Sequence, residues 1–346
     1  MGTSEIRRLQ SVLTVIEDGT SARLIKKTAT ATGEQELLDQ IEFFTNVPRA
    51  IAIHYPTVIK ASTTVRPYSY TMPFYEYPTL TSLFLYSQLT ASQLTSILMA
   101  VLDFLLTQQH PIKRKSPHHE YIEDVYIARM RRRLARMTQI DALFGELERT
   151  KYIAINNKVI CSPIANLDRI ARHHALLARL MPEQLLLTHG QLRFDHILVD
   201  YRNNRCNDFI LLEPRGLYQL RDIAYEFGKV WQCLRSRILW VEQKEYILGR
   251  HYILEDTLCV ENYGLNLEDR QRVADDVIAE LGVYLERAHQ FNYNKEWLTM
   301  ASLFAEATHS CAGVPFFYEA TDVTIGLAYY LAGATALQSF VDRYCK

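Results

Sequence analysis

The apolar pattern of this chain changes period once, across the proline-punctuated stretch at residues 73–78, and that change constrains the fold more than any other feature. Before it, short runs of β-branched and aromatic residues alternate with polar ones, which is the two-residue period of half-buried strands. After it, Leu94, Ile97, Leu98, Val101, Leu102 and Leu105 form a stripe at helical spacing, with a cap expected at Thr90 or Ser92. A small sheet followed by a larger helical part is the expectation, with boundaries at residues 1–75 and 76–346. At 346 residues and 48% apolar content the chain has enough material for two unequal lobes or one large domain.

Within the first part, Asp18-Gly19 between two strand-like runs is a hairpin signal. Leu37, Leu38, Ile41 and Phe44 predict one amphipathic helix over 33–44, and Pro48 closes it. Further strands are expected at 50–54, 58–65 and 68–72. In the second part helical periodicity recurs over 121–137, 167–180, 223–234, 267–291 and 324–341. A strand pair, 185–187 with 197–199, interrupts the helices and is followed by another strand at 209–212.

Composition excludes several classes of function. The 38 basic residues against 39 acidic ones leave a net charge of −1, so no global field attracts a polyanion and no nucleic-acid partner is expected. The six cysteines show no C-x-x-C spacing, which removes the zinc-ribbon and thioredoxin motifs. No run of about 18 apolar residues and no leader-type h-region are present, so no membrane span is expected and the location expected is cytoplasmic. The phosphate loop, dinucleotide, zincin and nucleophile-elbow motifs are all missing.

One dense segment remains. In Leu187-Thr188-His189-Gly190-Gln191-Leu192-Arg193-Phe194-Asp195-His196-Ile197-Leu198, polar residues sit between two short apolar strands, and Glu213-Pro214-Arg215-Gly216 closes the next strand. A polar loop between strands with a carboxylate at the end of the following strand is how a phosphotransferase divides its labour between an acceptor-orienting loop and a metal loop.

These residues resemble the aminoglycoside phosphotransferase and choline kinase-like family, a branch of the protein-kinase-like fold. The family's catalytic loop reads H-G-D-L-x-x-x-N-I-L, and its metal loop in one bacterial subgroup reads D-P-R-G. The resemblance implies an α+β, two-lobed fold with ATP and magnesium, or another divalent cation, as cofactors. It also implies transfer of a phosphoryl group to a hydroxyl of a sugar or amino alcohol. The three positions that carry the chemistry depart from the pattern, because Gln191, His196 and Glu213 stand where the family has Asp, Asn and Asp. A glutamine amide accepts a hydrogen bond but is no base near neutral pH. Loss of general-base help costs about 10²–10⁴-fold in rate. Magnesium prefers oxygen ligands to imidazole.

In the small lobe the resemblance implies a strand lysine on the phosphates, either Lys26 or Lys27, since only one of two strand neighbours faces a given side. Gln40 falls at the position of its helical glutamate partner, with Glu36 one turn earlier as a substitute. The backbone around Met72 and Phe74 is implied to bind adenine. Gln191, His189 and Asp195 are the candidates of the catalytic loop, with His189 read chiefly as scaffold, and His196 and Glu213 are the candidate metal ligands.

Other features have plainer readings. Asp200 belongs to an exposed turn, and His118-His119 beside Glu120 and Glu123 do not share a helix face as zinc ligands do. Arg129, Arg131, Arg132, Arg133 and Arg136 read as a solvated helix. Two functions follow: a phosphotransferase acting on a small-molecule hydroxyl, or a catalytically impaired pseudokinase that senses nucleotide or holds a protein partner.

Overall fold

The computed structural model describes residues 5–7, 11–17, 23–202, 205–266, 268–286, 293–318 and 322–346. The chain is α+β, with an antiparallel sheet near its amino terminus and a mainly helical remainder. By internal packing it divides into two compact units, residues 1–115 with 186–221, and residues 116–185 with 222–346.

The first unit is built on five antiparallel strands: β1 (Glu5–Arg7), β2 (Ser11–Glu17), β3 (Arg23–Ala29), β4 (Lys60–Ser62) and β5 (Ser69–Pro73), in the order β1-β2-β3-β5-β4. Strands β2 and β3 pair as the hairpin signal requires, with Glu17 opposite Arg23, while Asp18 and Gly19 themselves lie outside the described residues. Helix α1 (Glu34–Asn46) follows β3 and lays the expected stripe on the sheet. Leu37 and Ile41 join Ala29, Tyr70 and Met72 in a buried cluster, with Ile25, Phe44 and Leu212 packed against it. Alternation along β3 puts Lys27 on the face that carries Ala29 and leaves Lys26 exposed.

Three expectations fail in this unit, one of them at Asp200, which is buried within the strand Ile197–Arg202 and paired with Arg202 rather than set in an exposed turn. Residues 50–54 contain a single helical turn, Arg49–Ala52, rather than a strand, because Pro48 occupies the position before its first residue, where a missing N–H costs nothing. The strand Ile197–Arg202 pairs with Arg205–Leu211 and not with 185–187, so the hairpin forms one step later than the apolar runs suggested. Its ends are tied down by two backbone bonds, from the Val199 N–H to the Pro78 carbonyl at 3.0 Å and from the Leu211 N–H to the His54 carbonyl at 2.8 Å. This hairpin carries the dense polar segment into the same unit as Lys27.

The helix Ala91–Phe104 starts with a capping box in which Thr90 and Gln93 satisfy each other's backbone groups, one of the two caps expected. The segment Ala91–Ile112 is long and apolar enough to cross a membrane by length and composition, and 56% of its most apolar window is buried inside the protein.

In the second unit the helices Ile223–Leu234, Lys295–Cys311 and Val323–Tyr344 pack together. Their approach is close enough at Gly228 that a Cβ there would lie 2.5 Å from the Cβ of Ala305, so only glycine fits. A second sheet accompanies them, in the order His251–Leu254, Thr257–Val260, Tyr152–Ile155, Lys158–Cys161. It goes beyond the expectation that the helices are interrupted only by the strands at 185–187, 197–199 and 209–212. The signal was present in Tyr152-Ile153-Ala154-Ile155-Asn156-Asn157-Lys158-Val159-Ile160-Cys161: two short runs flank an Asn-Asn turn whose residues both adopt positive φ, 49° and 68°. Such a turn matches the twist of a two-residue hairpin.

Candidate functional site

The first unit brings most of the expected residues into one connected set. Lys27 is 4% exposed, and its Nζ donates to Oε1 of Gln40 at 3.0 Å and meets Oε1 of Glu213 at 2.9 Å. Of the two candidate lysines, then, Lys27 reaches the loop carboxylate and Lys26 faces outward. Gln40, fully buried, also accepts from the Tyr70 hydroxyl at 3.4 Å. Burial chiefly, with the nearby Glu213 and Glu36 charges, pushes the Tyr70 phenol well above its ordinary value, so it stays a neutral donor.

Glu213 is engaged on both oxygens. While Oε1 meets Lys27, Oε2 lies 3.4 Å from His196 Nε2. The residue sits at φ +60°, a left-handed backbone conformation uncommon for a glutamate. His196 is fixed from its other side: Nδ1 lies 2.9 Å from the Gln191 carbonyl oxygen, which accepts only, so Nδ1 carries a proton. The backbone closes the same turn, with the Leu212 N–H donating to the His196 carbonyl at 2.8 Å. Asp195 accepts from Arg193 Nε at 3.0 Å and lies 3.5 Å from His196 Nε2 through its second oxygen.

Gln191 meets a residue that sequence reasoning missed. Its amide oxygen, oriented by the surrounding donors, accepts from Nε of Arg215 at 3.1 Å and from Nη2 of the same guanidinium. Arg215 also pairs through Nη1 with Glu36 on α1 at 3.1 Å, and its backbone N–H donates to the His189 carbonyl at 2.9 Å. Glu36 therefore serves Arg215, while Gln40 serves Lys27. The side chain of Arg215 lies against Gly190, whose φ is +76°; a Cβ there would come within 2.6 Å of Arg215 Cγ. The signal for Arg215 lay within the Glu213-Pro214-Arg215-Gly216 motif, but its acidic partner is 179 residues away in sequence and no local pattern joins them.

His189 is fully buried beneath this loop. Burial first, then the neighbouring His196, lowers it to about 3, so the ring is neutral at any ordinary pH. Its Nδ1 accepts the Gln191 N–H at 3.2 Å, and the ring stacks on Tyr55 with centroids 6.2 Å apart. It holds the shape of the loop.

The adenine-facing candidates lie on β5 and just past its end. Met72 is packed in the core cluster between sheet and α1. The Phe74 N–H donates to the Arg23 carbonyl at 3.0 Å, and its ring lies 3.9 Å from the Arg23 guanidinium.

The donor set does not fit magnesium. That ion takes oxygen ligands in octahedral geometry. Glu213 already faces Lys27 and His196, Asp195 faces Arg193 and His196, and the remaining candidate is an imidazole. Asp195, His196 and Glu213 are neighbours, yet among the described residues no His, Cys, Asp and Glu side chains are arranged to hold a metal ion.

The chain matches no protein-family model and no curated protein. Solved structures align along most of its length. A candidate fructosamine-3-kinase from Thermobifida fusca is 11% identical, with 99% of this chain and 94% of that chain covered at a TM-score of 0.48. Another from Haemophilus somnus is 9% identical, with 89% and 91% covered at 0.37. A pseudokinase in its apo form is 10% identical, with 96% and 88% covered at 0.26. At such values nothing about activity passes from those proteins to this chain, and its own residues carry the functional reading.

Proposed function

We propose that this chain is a pseudokinase: a kinase-like protein that keeps the phosphate-facing lysine of the fold, Lys27, and has lost metal-assisted phosphoryl transfer. The observation that carries the reading is the double engagement of the two loops by the chain's own side chains. Arg215 takes the Gln191 amide, and Lys27 with His196 takes both oxygens of Glu213. A phosphoryl transferase needs an acceptor-orienting carboxylate and metal-bound oxygens at these places. Here an amide and an ion pair occupy them.

Its partners on this reading are a nucleotide at Lys27 and a protein that the folded chain displays itself to. Six free thiols suit a reducing compartment such as the cytoplasm. The second reading, a slow phosphotransferase acting on a sugar or amino-alcohol hydroxyl, is favoured by one observation: a buried lysine is costly, and Lys27 is buried where such an enzyme would hold phosphates.

ATP consumption is measured with magnesium or manganese and a panel of sugar-amine and amino-alcohol acceptors. The expected rate is that of the protein-free control, and the triple variant Gln191→Asp, His196→Asn, Glu213→Asp gains turnover. Wild-type turnover that Glu213→Ala ends would establish the second reading instead. In parallel, a thermal shift with ATP in EDTA, lost in Lys27→Met, reports nucleotide binding without metal.

A further inference from the structure

The segment 222–346 carries a cleft of about 460 Å³ that the reading above does not use. Its lining comes from the turn after the helix Ile223–Leu234 and from the helices Lys295–Cys311 and Val323–Tyr344. Leu265, Leu303 and Phe340 give it apolar walls. Three arginines, Arg235, Arg237 and Arg343, line it against a single carboxylate, Glu306. That excess of positive charge is local, since the whole chain carries −1.

The guanidinium groups are held without being used up. Arg235 Nε donates to Glu306 Oε2 at 3.2 Å, and Arg237 Nη2 donates to Asp275 Oδ1 at 2.6 Å. Nη1 of Arg237 is buried with no acceptor among the described residues. Arg343 is exposed, with its guanidinium carbon 5.3 Å from the Tyr344 ring centroid. A guanidinium offers five N–H donors in a planar fork, so single anchoring bonds leave most of them for an incoming acceptor. Apolar walls with a few convergent polar groups, at this volume, fit a small organic ligand.

We propose that this cleft binds a small organic oxyanion, its phosphoryl or carboxylate head held by Arg343 and Arg235 and its apolar body resting on Leu303 and Phe340. Glu306 tunes the site. Burial raises its carboxyl to about 7, against the pull of Arg235 and of the Ser236 hydroxyl, which donates to Oε1 at 2.8 Å. The other charged and titratable groups around the cleft are Arg237 from the same turn, Arg343 from the last helix, the neutral phenol of Tyr263, and Asp275 behind Arg237. Once protonated, Glu306 no longer competes for Arg235, so anions bind more tightly as pH falls from 8 to 6.

The full chain is titrated calorimetrically with phenyl phosphate, benzoate, benzenesulfonate and, as the uncharged control, benzyl alcohol. At least one oxyanion binds and benzyl alcohol does not; the stronger of phenyl phosphate and benzoate identifies the head group. Arg343→Ala weakens binding about tenfold, the loss of one charge-assisted contact. Benzenesulfonate keeps its charge over this range, so its tighter binding at pH 6 than at pH 8, abolished in Glu306→Gln, reports Glu306 alone. Lys27→Met leaves all of this unchanged, which separates the cleft from the nucleotide reading. The proposal is overturned if the folded chain takes up no oxyanion at millimolar concentration, if benzyl alcohol binds as well as the anions, or if Arg343→Ala binds as tightly as wild type.

Discussion

Glu213, half-buried, and Asp222, buried, are two carboxylates nine positions apart in the chain, and they are satisfied in opposite ways. Glu213, in the first unit, is met by the Lys27 ammonium group at one oxygen and by the His196 ring at the other. Asp222, in the second unit, is met by neutral donors: the hydroxyls of Tyr121 and Tyr126, each 2.7 Å from Oδ2, and the Tyr225 N–H, 3.0 Å from Oδ1. Burial raises the Asp222 carboxyl while these donors pull it down. A carboxylate held by fixed neutral dipoles caps a helix and has one task, here the start of Ile223–Leu234. A carboxylate held by a lysine sits in an exchangeable pair, because a phosphate oxygen can replace it on the same ammonium group.

The largest effect should come from breaking the neutral cradle. Asp222→Ala removes the carboxylate acceptor of two tyrosine hydroxyls and uncaps a helix, at a cost of about 4 kcal/mol, read from urea unfolding. Lys27→Met should cost about 3 kcal/mol by leaving Glu213 without its ammonium partner. Adding Glu213→Gln should return part of that loss, whereas no single substitution rescues Asp222→Ala. Equal rescue at both places would erase the distinction. Gly190→Ala, which forces a Cβ onto Arg215 at positive φ, should cost about 2 kcal/mol by the same measurement.

The last expected effect is a slope, small over any one pH unit. His189 is lowered to about 3 in the folded chain against 6.5 when unfolded. Between those values only the unfolded chain takes up the proton, so this contribution is complete above pH 6.5 and is lost as pH falls toward 3. It amounts to about 1.4 kcal/mol per pH unit. Glu306, raised from 4.5 to about 7, gives the opposite slope over that interval, since there the folded chain holds the proton. Comparing wild type with His189→Asn cancels Glu306 and should leave the His189 slope alone.

Local spacing carried the parts of the fold that local physics decides. Leu37, Ile41 and Phe44 recur at helical intervals because one face of α1 meets the sheet, and Thr90 sits where a capping box needs it. The second sheet escaped because its strands come from segments about a hundred residues apart, Tyr152–Ile155 beside Thr257–Val260, and four-residue runs are too short to show a period. At the site, residue types marked the loop, and alternation along β3 separated Lys27 from Lys26 once the register was fixed. What no spacing contained was the pairing of Arg215 with Glu36 and Gln191, which depends on where α1 packs.

The backbone at Glu213 bears on which acid that place holds best. At φ +60° it lies in a region that aspartate and asparagine enter more easily than glutamate. The loop thus keeps a bend suited to the shorter acid. A change to aspartate at this place would ease the main chain and draw the carboxylate back from Lys27, so the shorter acid would be the better fit to the backbone and the poorer partner of the ammonium group.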